Sequence, residues 1–252
     1  MGASSPDTRL RYDMGGRDPA EGVTVVPYLK GAAFFWTLER VVGRARLDRW
    51  LRTWFERRAF CSVTTATLLA DLREHLLGGG SDTPPPPEAI DLEAWVDEVG
   101  VPERAAPPES AIMTRIDGAA ARVLAGEPPA SIDATGWTPQ GWRHFLGTLA
   151  AGAPTKEALA ALDAAFQLSA SRNAEVQMPW LRLAARCEDA SATAAIERFL
   201  ADNGRMKHLR PLYAELMTTA WGARIARDTY GRVRGRYHAL VRAGLDRLIG
   251  AG

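Results

Sequence analysis

The chain has 252 residues, of which 46% are hydrophobic and 24% charged, and its formal net charge is +1. This is an ordinary composition for a globular protein of one or two domains with a sizeable core, and the near-zero charge offers no global field to nucleic acid or anionic lipid. Two cysteines far apart in sequence, Cys61 and Cys187, support neither a disulfide framework nor a CxxC metal motif, so a reducing, cytoplasmic setting is expected. No apolar run reaches the roughly twenty residues that a membrane span needs.

Residues 1–22 are polar and rich in Gly, Asp and Arg, and read as loop; Met1–Pro6 has no apolar core and does not read as a signal peptide. Residues 26–42 are apolar nearly all round, which predicts a buried helix with Pro27 in its first turn and Gly43 as its stop. Tyr28 then projects from the positive end of that helix. Its hydroxyl can either donate to developing negative charge or pack with a local partner. A second helix over about 45–59 puts Leu47, Trp50, Leu51, Trp54 and Phe55 on one face. Ser62 or Thr64 caps a third, with Leu68, Leu69, Leu72 and Leu76 as its apolar stripe.

From Gly78 to Pro87 the sequence GGGSDTPPPP is a linker signal, flexible glycine followed by stiff polyproline. A short helix around Ile90–Val96 and a second Pro-rich stretch, Val101–Pro108, follow. The expected division is therefore residues 1–96, a linker at 97–108, and residues 109–252. The last part reads as stacked helices at about 109–125, 138–151, 155–169, 173–187, 190–202, 206–219 and 222–249, with short connections. Thr138-Pro139 starts one of them and Asn203-Gly204 stops another. Short links make antiparallel neighbours, so the fold class is all-α, ending in an irregular helical superhelix; no alternating run predicts a strand.

Four stretches in order carry a family resemblance: Val26-Pro27-Tyr28-Leu29-Lys30-Gly31, Ser62-Val63-Thr64-Thr65, Trp180-Leu181-Arg182-Leu183, and Gly204-Arg205-Met206-Lys207 with Arg210-Pro211-Leu212. Together they resemble the leukotriene A4 hydrolase and aminopeptidase B branch of the M1 zinc aminopeptidases, over about Thr8 to Leu248. The resemblance implies that residues 1–96 are the tail of a thermolysin-like catalytic domain and 109–252 an ARM/HEAT-like superhelix. It also implies that Tyr28 is the catalytic donor to the oxyanion and that Arg205 and Lys207 hold the free carboxylate of a short peptide. Two cations at a helix start suit an anion on chemical grounds, although a solvated charged turn is the ordinary alternative.

The histidines are His75, His144, His208 and His238; no two are four apart and no HExxH exists, so each reads as a surface or helix-end residue and the chain is expected to build no zinc site. Zinc is expected in a preceding N-terminal segment, the chain being a C-terminal portion that is inactive alone. Val23 and Ala20 stand where the vertebrate hydrolase has Tyr and Asp, with Glu21 next to Ala20 as a candidate substitute for the Asp, which leaves an epoxide-hydrolase activity unsupported. The alternatives are a non-enzymatic helical-repeat binding module and a docking subunit of a split peptidase. Ten cations between Arg205 and Arg247, with Tyr230 and Tyr237 among them, read as a solvated helix face and not as a nucleic-acid surface.

Overall fold

The structure, a computed structural model, describes residues 4–11, 14–16, 24–78, 89–103, 105 and 110–250. Among these there is helix and no strand. The chain divides into two compact units, Met1–Glu109 and Ser110–Gly252. The GGGSDTPPPP stretch falls almost entirely outside the described residues, as do Ala20, Glu21 and Val23.

In the first unit α1 (Val26–Val42) and α2 (Arg44–Arg57) meet at Gly43, whose φ of 80° suits a residue without Cβ. α3 (Thr65–Asp71) is capped by the Thr64 hydroxyl, which accepts from Thr67 N at 3.2 Å, and continues into a π-helical turn over Leu72–Leu77. α4 (Leu92–Asp97) is capped by Asp91. Phe34, Leu38, Trp50, Leu72, Leu76 and Trp95 are central to one core. Asp71, buried beneath it, accepts from Trp50 Nε1 and Arg57 Nη2, each at 2.9 Å.

α1 is not buried all round, as the sequence predicts. Only Lys30, Phe34, Thr37 and Leu38 are buried on it, while Val25, Tyr28, Leu29 and Trp36 are exposed, and so are Phe55 and Phe60 beyond it. Hydropathy marks a helix for burial but does not say what covers it. Lys30 is the buried cation of this face, donating to the carbonyls of Thr8 (3.3 Å) and Glu98 (2.7 Å). Burial pushes its ammonium below the usual lysine range. The stretch after α4 is tied to the same unit: Leu10 N and Arg11 N both donate to Val96 O, Gly100 N donates to Thr8 Oγ1, and Ala105 packs on the core.

The second unit consists of α5 (Ala111–Leu124), α6 (Pro139–Gly152), α7 (Lys156–Phe166), α8 (Ala174–Arg186), α9 (Thr193–Asp202), α10 (Met206–Leu216), α11 (Ala220–Val233) and α12 (Ala239–Ile249). Side-chain caps start most of them: Ser110, Thr138, Thr155, Asn173, Thr219 and His238 each accept from a backbone N–H of the first turn. α5, α6, α8, α10 and α12 pack successively in one row, and α9 packs on α11 in a second, which is the two-row stacking of a helical superhelix. α8 and α10 each carry a proline as their sixth residue, Pro179 and Pro211.

The single helix expected over 222–249 is two helices. The chain leaves α11 through a 3₁₀ turn at Arg234–Arg236, becomes extended at Tyr237, and restarts under a His238 cap whose Nδ1 accepts from Leu240 N at 3.3 Å. The break turns Tyr237 inward. Its hydroxyl donates to Leu200 O at 2.5 Å and lies 3.2 Å from the Tyr213 hydroxyl. Burying that ring with its hydroxyl satisfied outweighs two more turns of exposed helix.

Candidate functional site

Tyr28 lies in the first turn of α1. Ahead of it Thr24 Oγ1 accepts from Val26 N at 3.3 Å, and Val25 O accepts from Leu29 N at 3.0 Å, which starts the helical ladder. The tyrosine is 74% exposed, and its hydroxyl makes no hydrogen bond among the described residues. The packing alternative therefore does not describe it. It is a donor at a helix's positive end with no internal acceptor.

Arg205 and Lys207 belong to the other unit. Arg205 is the residue before α10, in extended conformation (φ −88°, ψ 124°), and gives no side-chain cap; its carbonyl accepts from His208 N and Leu209 N at 2.9 and 3.0 Å. Its guanidinium is exposed and has no ion pair or hydrogen bond among the described residues. Lys207, also exposed, is held by a carboxylate: Nζ donates to Glu175 Oε1 at 2.5 Å. The same oxygen lies 3.0 Å from His208 Nε2.

Glu175 stands in the first turn of α8, its amide donating to the cap Asn173 Oδ1 at 3.0 Å. The Lys207 hydrogen bond first, and then that of His208, hold its carboxyl down to about 2. His208 stands at a helix end, in the first turn of α10, but not at the surface; it is 4% exposed, its ring faces Phe199, and its Nδ1 is buried without a partner among the described residues.

The opposite ends of the same two helices are also joined. Glu215, near the end of α10, accepts from Arg182 Nη2 (2.9 Å), Arg186 Nε (2.9 Å) and Arg186 Nη2 (3.0 Å), all from α8. Burial pushes the Glu215 carboxyl up, and the two guanidiniums outweigh it, so that it ends below the ordinary range. The Trp180–Leu183 stretch is thus structural: Trp180, Leu181 and Leu183 fill the core, Trp180 Nε1 donates to Ser169 Oγ at 2.9 Å, and Arg182 grips Glu215.

The histidines occupy four separate settings. His75 is exposed, 3.8 Å from Glu74 Oε2; His144 Nε2 lies 2.6 Å from Asp117 Oδ1; His208 faces Glu175; His238 caps α12. Among the described residues no three His, Cys, Asp or Glu side chains come together as a metal-binding group. In the basic C-terminal stretch Arg232 pairs with Glu197 at 3.0 Å and Arg234 with Asp246 at 2.7 Å.

The family described as leukotriene A4 hydrolase, C-terminal, matches residues 137–249, which include α8 and α10. Leucine aminopeptidase 2 of Neurospora crassa is 28% identical over 96% of this chain and 37% of its own length. A leukotriene A-4 hydrolase homolog of Botryotinia fuckeliana is 25% identical over 93% of this chain and 36% of its own. The chain thus spans well under half the length of these relatives. Yeast LTA4 hydrolase, solved in complex with bestatin, has the same fold over 99% of this chain and 43% of its own, at a TM-score of 0.80 and 21% identity.

Proposed function

We propose, from the match of residues 137–249 to the leukotriene A4 hydrolase C-terminal family, that the chain is the substrate-holding C-terminal part of an aminopeptidase acting on short peptides. Arg205 grips the free carboxylate of the peptide with Lys207 beside it, and Tyr28 donates a hydrogen bond to the oxyanion that develops at the scissile carbonyl. The observation that carries the reading is the unpaired, exposed guanidinium of Arg205 at the start of α10, inside the matched segment. An exposed phenol without an internal acceptor at Tyr28 supports it.

The family implies a catalytic zinc. The described residues do not fit one, since the histidines stand apart and among the described residues no carboxylate joins two of them. The metal then belongs to an N-terminal segment of the kind that makes up the rest of the relatives' length, and the present chain is inactive by itself. Residues 1–96 are, in this reading, the tail of the thermolysin-like domain that carries it. The exposed Tyr28, Leu29, Trp36 and Phe55 favour a second form of the same idea, a subunit that docks onto a separately made zinc-bearing chain. Two free cysteines agree with a cytoplasmic setting. No helix among the described residues is long and apolar enough to cross a membrane.

The test joins this chain to a zinc-bearing N-terminal segment and compares hydrolysis of a tripeptide with that of its C-terminal amide. Arg205→Ala is expected to raise KM for the free acid by roughly tenfold to a hundredfold, the worth of a hydrogen bond to a charged group, and to leave the amide untouched. Equal treatment of acid and amide by the unaltered enzyme would refute the reading.

A further inference from the structure

The cations at the start of α10 already face an anion of the chain itself. Glu175 Oε1 takes both Lys207 Nζ (2.5 Å) and His208 Nε2 (3.0 Å), while Arg205 next to them in sequence takes nothing among the described residues. His208 is more than nine-tenths buried, and its second nitrogen has no partner, so its one bond to Glu175 is what fixes the ring in this cluster. Arg205, Lys207 and the Glu175 carboxylate, two cations and one anion, together count a single positive charge.

We propose that Glu175 is a positioning residue that sets this charge. It pins Lys207 and His208, leaves Arg205 as the free grip, and matches the site to one terminal carboxylate in preference to a dianion. The inference rests on the carboxylate-binding reading above and deepens it. Coulomb attraction scales with the product of the charges, so a site of charge +1 gains little from a second negative charge on the ligand that must itself be desolvated. Removing the Glu175 charge raises the site to +2. The dianion then gains twice what the monoanion gains, and the ratio of their affinities moves by one unit-charge interaction at contact range. At low ionic strength that amounts to roughly threefold to tenfold.

The experiment uses the full chain and follows the backbone amides of residues 206–208 by NMR. The probes are an N-acetylated tripeptide acid, the same peptide ending in Asp, and the tripeptide amide. The unaltered chain is expected to bind the one-carboxylate peptide at least as tightly as the two-carboxylate one. Glu175→Gln should move the ratio toward the two-carboxylate peptide by about threefold to tenfold, with the shift collapsing in about 0.5 M salt. Glu175→Asp keeps the charge and should keep the original ratio. A purely structural role for Glu175 moves none of these ratios. Glu175→Ser, tolerated in a helix's first turn, takes the place of Glu175→Gln if that variant loses its helical circular dichroism. An unchanged ratio in Glu175→Gln, with both acids still perturbing residues 206–208, overturns the role of Glu175 and leaves carboxylate binding standing. Failure of every probe to perturb those residues overturns both.

Discussion

Three side chains each make a prediction that a single substitution tests: Tyr28, Glu175 and Asp71. Tyr28→Phe removes one hydroxyl and leaves the ring. On the proposed function, and with a zinc-bearing segment joined to the chain, it is expected to lower kcat by roughly a hundredfold to a thousandfold at nearly constant KM, the cost of one oxyanion donor; steady-state kinetics on a tripeptide decide it. Asp71→Ala leaves Trp50 Nε1 and the Arg57 guanidinium facing an emptied, buried site, and should cost about 3 kcal/mol or more in urea unfolding. The Glu175 carboxyl is held below its ordinary 4.5 at about 2, and a depressed carboxyl stabilises the fold fully above its ordinary value. That stability is lost as pH falls from 4.5 toward 2. An acid titration by circular dichroism should therefore show the second unit losing stability across that window, and Glu175→Gln should flatten the curve there. The sequence exposed Tyr28, Arg205 and Lys207 because they sit in motifs. It did not expose Glu175 or His208, because an acid in a helix's first turn reads as dipole decoration and a lone histidine as surface. The bond between them spans 33 residues and exists only once α8 packs on α10.

At the scale of the helices, start signals were more legible than stops. Thr138-Pro139 and Asn203-Gly204 mark real boundaries because capping chemistry is local. The Arg234–His238 break was not legible, because the residues around it continue a helical pattern and the reason for the break is tertiary: Tyr237 bonded to Leu200 O. Close approach is equally invisible in sequence. A Cβ on Gly222 would lie 2.3 Å from Leu216 O, a backbone atom of the preceding helix that has nowhere to go. Gly222→Ala should lower the melting temperature of the second unit, with a loss on the order of 1–3 kcal/mol typical of overpacking; a scan showing no change would mean that α11 can shift away from α10 freely. Tyr237→Phe, which strands Leu200 O and the Tyr213 hydroxyl, should destabilise by about 1–3 kcal/mol.

At the scale of the molecule, the two units differ in what they leave uncovered. The first exposes large apolar side chains at Tyr28, Leu29, Trp36, Phe55 and Phe60, more than a finished surface needs. The chain alone is expected to self-associate or to bind a hydrophobic dye, and Leu29→Glu with Phe55→Glu should suppress both in sedimentation and fluorescence measurements. A monodisperse, dye-silent unaltered chain would argue that this face is complete. The all-α class was legible because helical periodicity is strong and strand alternation absent. The exposed apolar face of residues 26–42 and 45–59 was legible only through the resemblance, which implies a further N-terminal segment, because a helix's hydropathy carries no information about what covers it.

The prolines of α8 and α10 bear on how the α10 cluster works. A proline has no amide hydrogen to give to the carbonyl four residues earlier. For Pro179 that carbonyl belongs to Glu175, and for Pro211 it belongs to Lys207. The two partners of one ion pair therefore ride on turns that each lack a rung. The ionic strap between Glu175 and Lys207 thus ties α8 to α10 at the two places where each helix is missing a backbone hydrogen bond.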